Sequence, residues 1–243
     1  MICPMIAKAG RTGRAGTPWV TYALLGTCCV VFLLGPASGF TPGHGTGTGL
    51  LAARTACFAR WGVVPERLWH GPAIAWFTPL TALFVHGNWL HLLGNMLFLH
   101  VFGAMTEQRL GRAAFALGYL ITGYLALLGY AAAHAGSGQP LIGASGAISG
   151  VLGAFLRLFP RARVTSLFPF LFFVPLRFPA WVVLPFWFAL QWTGAGGSTD
   201  RPQVAYLAHV IGFSLGFGLA WGCGAPAVRV RDAVRSTEGD NAP

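Results

Sequence analysis

The sequence predicts an all-α membrane protein, a bundle of six helices, on three observations. Of its 243 residues, 55% are hydrophobic and only 9% charged, with a mean hydropathy of +0.62. Soluble domains carry roughly a quarter charged residues. Six apolar runs, at about 18–35, 89–105, 113–133, 144–159, 178–193 and 203–223, approach the ~20 residues that cross a bilayer as a helix. The cations between those runs are distributed one-sidedly.

Lys8, Arg11 and Arg14 precede the first run, and Arg109 and Arg112 lie between the second and third. Arg157, Arg161, Arg163 and Arg177 lie between the fourth and fifth, and Arg229, Arg231 and Arg235 follow the sixth. Six crossings put all of these on one side and leave only Arg54, Arg60, Arg67 and Arg201 on the other. The positive-inside rule then places both termini in the cytoplasm, with a bacterial cell membrane as the expected setting. The net charge of +10 thus reports topology and attraction to anionic lipid, with no nucleic-acid partner implied.

Taken in order, residues 1–17 carry glycine and arginine and are expected to be a disordered cytoplasmic N-terminus. Residues 18–223 form the membrane domain. The first run, ending at Pro36-Ala37-Ser38-Gly39, has the flanks of a secretory signal, but it is long for a cleaved one, and its loss would blur the charge asymmetry. A retained helix is expected. Residues 36–88 form the longest connection, on the non-cytoplasmic side. Gly39 to Gly49 reads as flexible. The part bearing Trp61, Trp69, Trp76 and Phe77 with Arg60, Arg67 and His70 reads as an ordered lobe at headgroup level. Between Val164 and Phe178, four phenylalanines (Phe168, Phe170, Phe172, Phe173) alternate with Pro169 and Pro175, which speaks for a cytoplasmic interfacial segment. The fifth helix should start near Pro179, where a missing N–H costs little. Residues 224–243 are polar and expected to be a disordered cytoplasmic tail.

What chemistry the bundle carries is narrowed first by absences. The acids are Glu66, Glu107, Asp200, Asp232, Glu238 and Asp240, none in the middle of a run. That argues against a carboxylate relay for transport, an aspartate-dyad protease and a triad with its own acid. Cys3, Cys28, Cys29, Cys57 and Cys223 have neither metal nor disulfide-framework spacing. A metal held by His86, His91 and His100 would lack a carboxylate or thiolate, so neither metal nor cofactor is expected.

A Ser–His pair remains. Ser145 opens an apolar helix within Gly143-Ala144-Ser145-Gly146, and His209 lies in another apolar helix. A hydroxyl and an imidazole are the minimum parts of a nucleophile with its general base. His91 and Asn95, four apart, share a helix face and can both donate to a developing oxyanion, helped by the Ser145 amide at a helix start. Gly146, Gly150 and Ala154, like Gly212, Gly216 and Ala220, recur every fourth residue and would let the two helices pack closely. Each feature alone has a plainer reading: a serine bonding its own backbone, structural small-residue stripes, a buried histidine on a carbonyl. Together they favour the catalytic one. His86 should brace the 36–88 lobe, His100 should be structural, and His44, His70 and His134 should lie in loops or at the interface.

These motifs resemble the rhomboid family of intramembrane serine proteases over about 60–222, in the family's order: His86-Gly-Asn-Trp-Leu-His91-Leu-Leu-Gly-Asn95, Glu107-Gln-Arg109-Leu-Gly111, Gly143-Ala144-Ser145-Gly146 and Ala208-His209-x-x-Gly212-x-x-x-Gly216. The resemblance implies a six-transmembrane-helix rhomboid-like bundle, with Ser145 as nucleophile and His209 as base. His91, Asn95 and the Ser145 and Ala144 amides would form the oxyanion hole. It further implies that 36–88 is the family's first loop, that the fifth helix is its proposed lateral gate, and that the substrates are transmembrane proteins in the lipid bilayer. One position departs: where some members have an aromatic residue four after the nucleophile, packing on the catalytic histidine, this chain has Ser149. The main rival is a non-catalytic relative that binds transmembrane helices. A solute transporter or a membrane-acting serine acyltransferase or lipase are the others. The apolar helix faces mark no oligomer interface.

Overall fold

The computed structural model describes residues 6–8, 16–168, 174–195 and 205–222, and these are mostly helical. The first apolar run folds as α1 (Trp19–Leu34). The connection after it holds α2 (Gly47–Trp61), α3 (Pro65–His70) and α4 (Thr78–Ala82), with 3-10 turns at Pro42–His44 and Ala73–Phe77. Then come α5 (Trp89–Phe98), a π-helical turn (Leu99–Gly103) and α6 (Ala104–Leu110), continuous as one 22-residue helix. The remaining apolar helices are α7 (Arg112–Ala133), α8 (Ser145–Leu158), α9 (Ala180–Ala195) and α10 (Tyr206–Gly222). By length and composition, Trp89–Leu110 and Arg112–Ala133 suffice to cross a membrane; the other apolar helices are shorter.

The centre of the bundle is α8, buried at every position from Gly146 to Phe155 and again at Leu158. Its small residues make this possible. A Cβ at Gly212 would run into the Gly146 carbonyl, one at Gly216 into the Gly150 carbonyl, and one at Gly153 into the Phe213 carbonyl. α8 and α10 therefore touch backbone to backbone. On the opposite side α7 closes in: a Cβ at Gly150 would strike Thr122, and one at Gly123 would strike Ala147 and Leu83. Larger apolar groups fill in around this seam, with Phe102 edge-on to Phe155 at 4.9 Å between ring centroids.

A carboxylate fastens the outermost helix. The first turn of α1 has no cap of its own. Its free donors go to Glu107 at the end of α6, which accepts from the Val20 amide (3.0 Å), the Thr21 amide (2.7 Å) and the Thr21 hydroxyl (2.8 Å). Glu107 is 2% exposed, so a carboxyl group normally too costly to bury sits with its hydrogen bonds satisfied at the positive end of a helix dipole.

The 36–88 connection is an ordered lobe whose polar groups satisfy helix ends. Arg54 donates to the Pro36 and Ala37 carbonyls, Trp89 Nε1 to Ser38 and Trp69 Nε1 to Ala131. Val63 and Leu141 exchange two backbone hydrogen bonds of 2.9 and 2.8 Å, tying the lobe to the segment just before α8. Leu68 is buried, while Trp61, Trp76 and Phe77 are exposed. The stretch from Gly39 to Gly49, expected to be flexible, instead contains a 3-10 turn and the start of α2. Ser38, Thr41 and His44 hold it by bonding the last carbonyls of α1 at Leu33 and Leu34.

Two further departures lie at the other end. Within the N-terminus expected to be disordered, Ile6–Lys8 form a strand, β1; residues 1–5 and 9–15 lie outside the described residues. β1 pairs antiparallel with β2 (Arg163–Phe168), which pairs with β3 (Val174–Pro179), so Thr165 stands between Ile6 and Arg177. The proline-rich interfacial segment is thus a pair of strands. Pro175 is tolerated because β3 is an edge strand. Residues 169–173, which include Pro169, Phe170, Phe172 and Phe173, lie outside the described residues, as does the tail 224–243. Pro179 closes β3 and α9 begins at Ala180, whose amide, like that of Trp181, donates to the turn after α8 (Ala162 and Pro160 carbonyls).

The glycine seam gives a controlled comparison. Gly216→Ala should destabilise the folded bundle by about 1–3 kcal/mol, the usual cost of overpacking. Gly218→Ala, two residues on and with open space around it, should leave the thermal midpoint in micelles unchanged or raise it. Equal midpoints for the two variants would contradict the backbone contact.

Candidate active site

The turn into α8 has a shape only glycine supports. Gly143 has φ +119° and donates its amide to the Ala82 carbonyl at 2.9 Å. A Cβ there would lie 2.7 Å from both Cε1 and Nε2 of His91, so the chain runs flat against that imidazole. Ala144 is fully buried and its carbonyl takes the Ile148 amide at 2.9 Å, which starts the helix at Ser145. The first amides of α8, those of Ser145 and Gly146, have no acceptor within the helix. Ser145 itself is half-buried.

α5 brings two donors to the same turn. Asn88 caps α5 by accepting from the His91 amide at 2.9 Å. The Gly87 amide donates to His91 Nδ1 at 3.4 Å, which leaves the ring's proton on Nε2, the atom against Gly143. Asn95, one turn on, is buried, and its Nδ2 has no hydrogen-bond partner among the described residues. Such an orphaned donor costs about 1–3 kcal/mol, and it lies 3.9 Å from where the Gly143 Cβ would be. Behind them His86 packs edge-on to His91 at 5.2 Å and meets the Phe84 carbonyl at 3.3 Å. Burial first, then the nearby His91, pushes its imidazole down to about 4, so it is neutral at physiological pH.

His209 arrives from α10. Next to it, Ala208 stands against the start of α8: a Cβ at Gly146 would be 3.9 Å from its carbonyl. Nδ1 of His209 is 2.8 Å from Gln191 Oε1 on α9. An amide oxygen can only accept, so Nδ1 carries the proton and Nε2 keeps a lone pair. Trp187, also on α9, stacks on the ring at 6.1 Å with 30° between planes. The aromatic partner missing at Ser149 is therefore replaced from a different helix, while Ser149 donates its hydroxyl to the Ser145 carbonyl at 2.7 Å.

Ser145, His209, His91 and Asn95 line one cavity of about 560 Å³, together with Ser149, Trp187 and Gln191. Ala144 and Gly143 form its turn, and Gly146, Gly150, Gly212 and Gly216 form the seam beneath it. Gln191 and Trp187 escaped the sequence reading. The one available signal was a lone amide inside an otherwise apolar run. The remaining histidines lie elsewhere: His100 stacks on Tyr22, His134 on Tyr130, and His70 ends α3.

The model of the Rhomboid domain family matches residues 73–226. Rhomboid protein 1, mitochondrial, of Saccharomyces cerevisiae is 36% identical over 142 residues, 57% of this chain and 39% of the yeast protein. Rhomboid-like protein 11, chloroplastic, of Arabidopsis thaliana is 45% identical over 49 residues, 20% of this chain and 18% of that one. RHOMBOID-like protein 5 of the same plant is 34% identical over 77 residues, 32% and 25% of the two chains. The match thus spans less than half the length of each of these relatives. Two of the names are organellar, and the bacterial membrane expected from the sequence draws no support from them.

Gly143→Ala tests the turn against His91. The added methyl meets both a strained φ and the imidazole, a penalty of about 1–3 kcal/mol at the site. It should slow fluorophosphonate labelling of the purified protein roughly tenfold or more, that penalty expressed as a rate. Gly136→Ala, in a loop with open space, should label at the wild-type rate.

Proposed function

The chain belongs to the rhomboid family, a family of integral membrane proteins, and on that premise we propose that it is an intramembrane serine endopeptidase. It hydrolyses peptide bonds in or near the transmembrane segments of other membrane proteins. The observation that carries this reading is the shared cavity, which Ser145 and His209 line together with His91 and Asn95, the last with its Nδ2 unpartnered.

In the proposed reaction Ser145 Oγ attacks the scissile carbonyl carbon while His209 Nε2 takes its proton. The carbonyl oxygen becomes an oxyanion, held by Asn95 Nδ2, His91 Nε2 and the amide at the start of α8. The C–N bond then breaks, and His209 returns the proton to the departing amine. Water, deprotonated by His209, attacks the acyl-enzyme, releasing the carboxylic acid and restoring Ser145. The orphaned Asn95 donor fits this scheme: its partner forms only during the reaction.

The six apolar helices are read as six spans across 18–223, with both termini cytoplasmic and the 36–88 lobe on the far side. The cavity lies at the end where α5 and α8 begin, the lobe's end, which gives water a route to it. A substrate helix must unwind there, because a fully bonded helix hides its carbonyls from a nucleophile.

Fluorophosphonate labelling, followed by intact mass and peptide mapping, tests the proposal. One adduct on Ser145 is expected, lost in Ser145→Ala and in His209→Ala. Cleavage of a single-span reporter in proteoliposomes should disappear in the same two variants and fall about 10²–10³-fold in Asn95→Ala. Folded protein that neither labels nor cleaves, beside an active intramembrane protease that does, would instead favour a helix-binding relative without catalysis.

A further inference from the structure

We propose that Gln191 is the positioning residue for His209, so that α9 supplies the third partner of the dyad. This rests on the serine protease reading above.

A histidine that serves as base must hold its one proton on the nitrogen facing away from the nucleophile. Serine proteases with a triad use a carboxylate for this, and among the described residues no carboxylate lines the cavity. Glu107 is committed to the start of α1 and Glu66 lies in α3. The hydroxyl of Ser149 is committed to the Ser145 carbonyl. The partner at Nδ1 is Gln191, at 2.8 Å. Its carbonyl oxygen fixes the tautomer without placing a second charge in a poorly solvated site, where an ion is far more costly than an amide.

The same helix face braces the ring. Trp187 stands four residues before Gln191, hence above it on α9, and stacks on His209. Phe188 and Trp187 pack on Phe213 of α10 at 4.9 and 6.0 Å. The opposite face of α9 is turned outward, with Trp181, Phe186, Leu190 and Trp192 exposed. Two of the side chains α9 turns inward thus act on one imidazole. Gln191 is half-buried on the cavity wall, and its amide oxygen is the group that meets Nδ1 of His209.

A helix-to-helix hydrogen bond with no role in catalysis is the alternative, and the charge of the partner separates the two. The full chain is reconstituted in proteoliposomes with a single-span reporter substrate, and wild type, Ser145→Ala, Gln191→Leu and Gln191→Glu are compared. His91, the other titratable side chain lining the cavity, is unchanged throughout. Gln191→Leu should lower kcat about tenfold or more at an unchanged KM. Gln191→Glu should retain activity and move the acid limb of the kcat profile to higher pH by about one unit, because a carboxylate at Nδ1 favours the protonated ring. The proposal is overturned if Gln191→Leu keeps the wild-type kcat per folded molecule, or if the acid limb of Gln191→Glu stays in place. Cleavage that survives Ser145→Ala would sink the protease reading itself, and with it this one. Loss in Ser145→Ala alone would remove only the role of Gln191.

Discussion

The contact between the backbones of α8 and α10 is the constraint on which the rest of the molecule depends. In an apolar solvent, burial of hydrocarbon gives little drive for helices to associate, so packing and backbone proximity must supply it. Here the proximity is extreme: the places where Gly212 and Gly216 would carry a Cβ are filled by the carbonyls of Gly146 and Gly150. Only small groups such as Ser149 Cβ and Ala208 Cβ stand beside these backbone contacts. Ser145 is the first residue of one helix and His209 lies one turn before Gly212 on the other, so the seam fixes both ends of the proposed dyad.

Around that seam several costly polar groups have a structural use. Glu107 is buried and accepts from three donors at the start of α1, which ties α1 to α6. Within the lobe Arg54 donates to the Pro36 and Ala37 carbonyls, and Trp69 completes the Ala131 carbonyl near the end of α7. Asn95 Nδ2 is buried and unmatched in the resting molecule, as are His86 Nε2 and Tyr119 OH. Of these only Asn95 lines the cavity, and in the proposed reaction its unmet donor is a ground-state penalty that a developing oxyanion would relieve.

How much of this could be read from the chain follows from the range of the interactions. The six apolar helices fall on the six apolar runs, because composition over a long window decides helicity in such a segment. The small-residue stripes were legible for a similar reason: their period is local and has a geometric meaning. The strands β2 and β3 were not, since prolines and aromatics spoke against a crossing helix without saying what replaced it. Gly39–Gly49 looked flexible because its glycines are visible in sequence, whereas its anchors, the terminal carbonyls of α1, are not. Glu107 could be placed at the end of a helix but not on the amides of Val20 and Thr21, 87 and 86 residues away. Gln191 is the sharpest case. It reads as a blemish in an apolar run, and only the packing of α9 on α10 turns it into the partner of His209.

The two members of the proposed dyad are therefore held in different ways. Ser145 starts the most enclosed helix, between α7 and α10, with its turn pressed on His91. His209 sits on the same rigid seam, but its ring is set by Gln191 and Trp187 from α9, whose other face is open. The backbones of both residues are thus set by the seam, while the tautomer of the base is set from α9. A displacement of α9 that left the seam intact would keep Ser145 and His209 in place yet release the proton on Nδ1 to move to Nε2. That would remove the acceptor the serine needs. In this arrangement the proposed nucleophile is positioned by the core, and its proposed activation depends on the helix that packs around it.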